Sequence, residues 1–208
     1  MVACEDCGAP EARMGLGEAQ LCDACYNDRA SALTGTALLP RPPPPIVITG
    51  PDGKSHRLAY RVLRAPAGVE VKLEETGVAP GEGYDFAVLG DHHAQLAPLL
   101  RQVRRIAERE VAFQYLEPAE HGAGWQITDG DDVVGRFIWR EEGAAGAPFD
   151  VVIDGRTLTW DQFGEALSAY EGWNFRLLIE DRVVEAETEA EAEVIDIARH
   201  HSRQGPLS

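Results

Sequence analysis

The sequence is short of positive charge, of long apolar runs and, beyond residue 25, of any cysteine. It has 19 Lys and Arg side chains against 35 Asp and Glu, a formal net charge of -16. Affinity for nucleic acid rests largely on neutralising phosphates with Lys and Arg, so such a chain is repelled by a polyanion at long range. The imbalance is steepest over residues 161–208, with 4 basic against 11 acidic side chains. Residues 41–80 run the other way, with 6 against 4. No apolar stretch approaches the roughly 18 residues that suggest a membrane-spanning helix, so no membrane partner is expected. The opening Met1-Val2-Ala3-Cys4-Glu5-Asp6 is not a basic patch followed by an apolar one. A secretory signal is therefore not expected, and the expected location is cytoplasmic. Gly-x-Ser-x-Gly, His-x-x-x-His and a complete phosphate-binding loop are all missing. Gly53-Lys54-Ser55 echoes such a loop without the glycine five residues earlier, and it reads as a turn.

What is present begins with the cysteines. All four fall in the first 25 residues, as Cys4-x2-Cys7, fourteen residues, then Cys22-x2-Cys25. Two residues between cysteines let a tight turn aim both sulfurs at one ion, and two such pairs supply the tetrahedral sulfur shell that zinc favours. A disulfide framework suits small secreted domains, and a redox dithiol needs only one pair. An iron–sulfur cluster fits these spacings less well. Cys4, Cys7, Cys22 and Cys25 are thus the expected ligands of one structural zinc, with the shell closed to water and substrate. Gly8 follows the first pair, Gly15 and Gly17 can turn a hairpin, and the second pair leads into a helical composition ending at Gly35. This layout resembles a treble-clef zinc finger, a family that serves DNA readers, ribosomal proteins, ubiquitin-related proteins and scaffolds alike. Replacing Cys22 with serine is expected to unfold this module and leave the rest largely intact.

Four units follow from composition: a zinc module over residues 1–37, a proline-rich linker over 38–45, an α+β domain over 46–182, and an acidic helix and tail over 183–208. Pro42 to Pro45 favour an extended spacer. The third unit reads as a mainly antiparallel sheet with two main helices. Period-two alternation marks strands at Ile46–Ile48, Leu58–Val62, Val69–Leu73 and Tyr84–Val88. A helical stripe joins Leu96, Leu99, Leu100, Val103, Ile106, Ala107 and Val111, with Asp91 as its expected cap. Further strands are expected at Trp125–Ile127 and Val133–Trp139 around the turn Asp129-Gly130-Asp131, at Phe149–Ile153 and at Phe175–Ile179. Thr159 and Gln162 have capping-box spacing for a short helix carrying Phe163, Leu167 and Tyr170 and ending at Gly172. Residues 185–201 have a helical Ala/Val/Ile stripe. The four tryptophans read as core anchors.

The run from Asp154 to Gly164 with Tyr170-Glu171-Gly172-Trp173-Asn174-Phe175 resembles uncharacterised bacterial proteins in which an α+β domain follows a cysteine module. That resemblance implies no activity and no catalytic residues. The function expected from all this is a zinc-containing, non-enzymatic interaction or regulatory protein whose partner is another protein, with an exposed apolar or aromatic patch. The alternatives are a hydrolase or transferase with convergent His and carboxylate groups, and a nucleic-acid-associated protein. The last requires Arg57, Arg61 and Arg64, or the run from Arg101 to Arg109, to form one basic surface. The sequence gives no oligomeric state.

Overall fold

A computed structural model describes residues 2–10, 12–79, 81–119, 124–128, 132–140, 148–181 and 183–186. The N-terminal part is a hairpin of β1 (Met14–Leu16) and β2 (Ala19–Leu21) followed by helix α1 (Asp23–Thr34). Gly17 turns the hairpin at φ 62° and Gly35 ends the helix at φ 65°, both in the left-handed region that glycine enters at little cost.

The main sheet follows from the alternating segments: β3 (Ile46–Thr49), β4 (Ser55–Ala65), β5 (Gly68–Glu75) and β6 (Asp85–Gly90) form an antiparallel meander. A short strand β12 (Val183–Glu185) adds in parallel to the outer edge of β6. Helix α2 (Leu96–Val111) buries Leu99, Val103 and Ala107 against Leu58, Val62, Val71, Leu73 and Val88 of the sheet. No described helix is long and apolar enough to cross a membrane.

The remaining strands are β7 (Leu116–Pro118), β8 (Trp125–Ile127), β9 (Arg136–Trp139), β10 (Phe149–Ile153) and β11 (Arg156–Leu158). β7 pairs with β8, and β9, β10 and β11 form a second sheet with β10 in the middle. Helix α3 (Trp160–Ala166) carries the expected capping box, with the Gln162 N–H donating to Thr159 Oγ1 and the Thr159 N–H to Gln162 Oε1. Here Tyr115, Leu116, Val151, Ile153 and Leu158 make a smaller core.

Several expectations fail for identifiable reasons. Asp91 does not cap α2, because its carboxylate accepts from the His93 N–H at 2.7 Å in a local turn and Gln95 precedes the helix. β8 and β9 are not hairpin partners, since each finds a different strand; the Asp129-Gly130-Asp131 turn lies outside the described residues. The short helix stops at Ala166 and a single 3-10 turn, Ser168–Tyr170, precedes Gly172. Residues 173–181 form no strand, because alternation alone supplies no neighbour to pair with. Glu185 ends β12 rather than opening a helix, and residues 187–208 lie outside the description. Trp125 joins the smaller core, but Trp139, Trp160 and Trp173 are exposed.

The β4–β5 hairpin gives the sharpest stability prediction here. Gly68 has φ 148°, and a Cβ on it would lie 1.9 Å from the Gly90 carbonyl oxygen. No flexible side chain can yield there, so Gly68→Ala is expected to lower stability by on the order of 3 kcal/mol or more. Urea unfolding of the two proteins measures it.

Candidate metal centre

The four cysteines come together from two elements. The first pair sits in the loop before the hairpin. There the Gly8 N–H donates to the Cys4 carbonyl at 2.8 Å, and the Cys4 N–H to the Ala9 carbonyl at 2.8 Å. Gly8 takes φ 73° with nothing within 4 Å of where a Cβ would stand, so glycine is required by conformation rather than by space. The second pair straddles the start of α1, with Cys22 immediately before the helix and Cys25 in its first turn. The Glu5 N–H donates to the Gln20 carbonyl at 3.1 Å and the Gln20 N–H to Glu5 Oε1 at 2.9 Å, which ties loop to hairpin. Arg29 of α1 forks onto both carboxylate oxygens of Asp6.

All four sulfurs lie within 4.8 Å of one another. The Cys7 and Cys22 sulfurs are 3.7 Å apart, close to the ~3.8 Å edge of a tetrahedron with Zn–S bonds of ~2.3 Å. None of the four is in a disulfide. Backbone N–H groups of Cys22, Cys7 and Asp6 point at the Cys4 sulfur and hold its thiol down to about 6, against the effect of its burial. Burial, then the neighbouring thiols, push Cys25 up. Four crowded sulfurs resist shared ionisation until a cation sits among them, and a divalent ion reverses that balance. The donor set therefore fits a metal. Its four thiolates would complete the shell, and the chemistry the ion supplies is a cross-link between loop and helix.

The helix that the second pair begins is fixed to β4 by polar contacts that the sequence reading did not foresee. β3 pairs with β4 only as far as Leu58, which leaves the strand edge open at residues 62 and 64. Asn27 of α1 fills it. Its Nδ2 donates to the Val62 carbonyl at 2.8 Å, and its Oδ1 accepts from the Arg64 N–H at 2.8 Å. The side-chain amide thus stands in for a neighbouring strand. The Arg64 guanidinium is itself buried and donates to Ser31 Oγ, the Ala37 carbonyl and the His92 carbonyl. Arg61 forks onto Asp23 at 2.6 and 2.9 Å. Leu39, within the expected linker, packs against the main core.

These contacts also dispose of one proposed basic surface. Arg64 is buried and Arg61 is engaged by Asp23, so Arg57, Arg61 and Arg64 do not form one exposed patch. On α2, Arg104 pairs with Glu108 and Arg109 with Glu110.

A second group of ionisable side chains lies under the main sheet. His56 Nδ1 and Glu75 Oε1 are 2.8 Å apart, with side chains 3% and 5% exposed. The other Glu75 oxygen accepts from the Tyr84 N–H, and the Tyr84 ring meets His56 edge-on. Period-two parity with Leu58 and Val62 puts both His56 and Arg64 on the inward face of β4. Both oxygens of Glu75 are occupied within the protein and the pair is sealed. Its place is structural, where the second sheet meets the main one: Arg156 of β11 pairs with Asp52, and Arg136 of β9 donates to the Gly81 and Gly83 carbonyls. Asp154, at φ 51°, accepts from the Tyr115 and Leu116 N–H groups; burial raises its carboxyl above the usual range despite those donors.

Two family models match the chain, each described as a domain of unknown function: DUF7686 over residues 40–112 and DUF7713 over residues 115–183. The first spans β3 to α2, the second β7 to the exposed stretch after α3, and the four cysteines precede both. No curated protein matches the chain, and no solved structure matches it.

Proposed function

We propose that this is a cytoplasmic, non-enzymatic protein-interaction protein whose N-terminal part is a treble-clef-like module held by one structural zinc on Cys4, Cys7, Cys22 and Cys25. The zinc part of the reading is supported by the converging sulfurs and by the order of loop, hairpin and helix. Four protein ligands leave no open position for water or substrate, so the ion's work is to hold α1. The interaction part is carried by one observation, the exposure of large aromatic side chains. Trp139 is 75% exposed, Trp173 65% and Phe175 90%. Phe137 and Trp160, 48% and 43% exposed, also lie in one line of ring contacts with Phe149, and aromatic residues are enriched where proteins bind one another.

A photo-reactive residue at position 175 of the full-length, zinc-loaded chain tests this in the cells that make it. Discrete protein adducts are expected, weakened by Trp139→Ser. Absence of adducts from both position 175 and position 139 would overturn the interaction reading. Zinc content by elemental mass spectrometry tests the other half, with one ion per chain expected and none in a chain whose four cysteines are serine.

A further inference from the structure

An open sheet edge and a strand-like segment without a sheet occur in the same part of this chain. Residues 173–181 belong to no helix or strand, yet Trp173, Phe175, Leu177, Leu178 and Ile179 are between 65% and 90% exposed. Phe175, Leu177 and Ile179 alternate, which is the pattern of a strand with one apolar face. Nearby in sequence order, β9 is the outer strand of the β11-β10-β9 sheet, and no described strand pairs with its far side. Its Phe137 and Trp139 share a face, opposite Val151 and Phe149 in the register. Val151 belongs to the buried core, so Phe137 and Trp139 carry that core face outward to the uncovered edge. Ring contacts of 5.1–5.7 Å run on from Phe137 through Phe149 and Trp160 to Phe163.

We propose that two copies of this chain associate by reciprocal strand addition, residues 175–179 of each copy pairing with the free edge of β9 in the other. The proposal rests on the interaction reading above and assigns its partner as a second copy. Strand addition satisfies the N–H and C=O groups of β9 that no described strand meets, and it sets the apolar side of the added strand beside Phe137 and Trp139. The lengths agree, with five residues against a four-residue strand. The area is also sufficient. At ~200 Å² per ring, the exposed parts of Phe137, Trp139, Trp160, Trp173 and Phe175 amount to roughly 640 Å² per copy. Two copies then offer about 1,300 Å² from these rings alone, within the ~1,200–2,000 Å² that specific interfaces bury. Each copy gives its strand to the same copy from which it receives one, a two-fold exchange that closes at two.

Each copy carries a formal charge of -16, so repulsion opposes the pair and added salt should tighten it. The experiment is sedimentation equilibrium of the full zinc-loaded chain over a wide concentration range at low and high salt, with amide hydrogen exchange on the same samples. The expected result is a monomer–dimer equilibrium strengthened by salt. Amides of residues 136–139 and 175–179 should gain protection as the dimer forms. Phe175→Asp and Trp139→Ser change exposed side chains, and each should weaken the dimer by ~10-fold or more. A monomer at every concentration overturns the proposal. So does protection of both segments in a monomer, which would mean closure within one chain. A dimer untouched by both variants would place the interface elsewhere and overturn it too. Photo-adducts from position 175 to a different protein, with no dimer, would overturn the proposal while leaving the interaction reading standing.

Discussion

Stripping the metal with a chelator, or replacing Cys22 with serine, is expected to unfold residues 2–35 and also to loosen the strand edge at Val62 and Arg64. The first part follows from how little else holds the module. Among its described residues the buried apolar ones are Cys4, Leu21 and Ala30, and a structural zinc contributes about 10–16 kcal/mol to small zinc modules. Serine offers a hydroxyl where a thiolate is needed, so one ligand is lost outright. The second part follows from the contacts between helix and sheet. When α1 leaves, Asn27 and Ser31 leave with it, and the Val62 carbonyl, the Arg64 N–H and the Arg64 guanidinium must find water instead. At about 1 kcal/mol net per lost hydrogen bond, the main sheet should lose on the order of 3 kcal/mol. It should remain folded, because Leu58, Val71, Val88, Leu99 and Val103 pack without the module. Hydrogen exchange of the β4 amides reads this directly. The four tryptophans all lie in residues 125–173, so their fluorescence reports on the other part and should change little. Unchanged exchange at Arg64 after zinc removal would show that the module rests on the sheet without stabilising it.

The sequence and the structure agree most where local chemistry leaves few choices. The two Cys-x2-Cys pairs bring their sulfurs together because a two-residue gap and a glycine at φ 73° allow one solution. The strands β3 to β6 and the stripe on α2 repeat with the right period over long enough runs to be read directly. The reading fails where a second element decides the outcome. Residues 173–181 alternate as well as β6 does, but a strand needs a neighbour and alternation does not say whether one exists. Trp139 is as apolar as any core residue, yet its position at an outer strand leaves it in water. β11 carries no readable pattern because Arg156-Thr157-Leu158 is too short for alternation to register. The Asn27–Val62–Arg64 contact is of a different kind. Asn27 lies in a run that reads simply as helical, and its partners are backbone groups about 35 residues away. Parity could have flagged Arg64 and His56 as inward-facing polar residues, but nothing in the sequence names what satisfies them.

Asn27→Ala is expected to lower the stability of the folded chain by about 3 kcal/mol while leaving one zinc bound. Asn27 is 8% exposed and is not one of the four clustered ligands, so the ligand set survives the change. What is lost is the amide that bonds the Val62 carbonyl and the Arg64 N–H together. With α1 still pinned by the metal, the strand edge stays covered, and both backbone groups are left buried without partners at ~1–3 kcal/mol each. That is a harsher outcome for those two groups than in the zinc-free chain, where the edge opens to water. Asn27→Asp separates the two bonds. The carboxylate can still accept from the Arg64 N–H, but it cannot donate to the Val62 carbonyl and sets two acceptors against each other. It should therefore be no more stable than the alanine variant. Asp23→Asn serves as the comparison, since its fork with Arg61 is partly exposed and such pairs contribute only ~0.2–1 kcal/mol. Urea midpoints for the three variants, with zinc stoichiometry measured on the same samples, decide the matter. A loss in Asn27→Ala no larger than in Asp23→Asn would mean that water takes the place of the amide. The helix would then be held to the sheet by its remaining contacts, the Arg61–Asp23 and Arg64–Ser31 bonds among them.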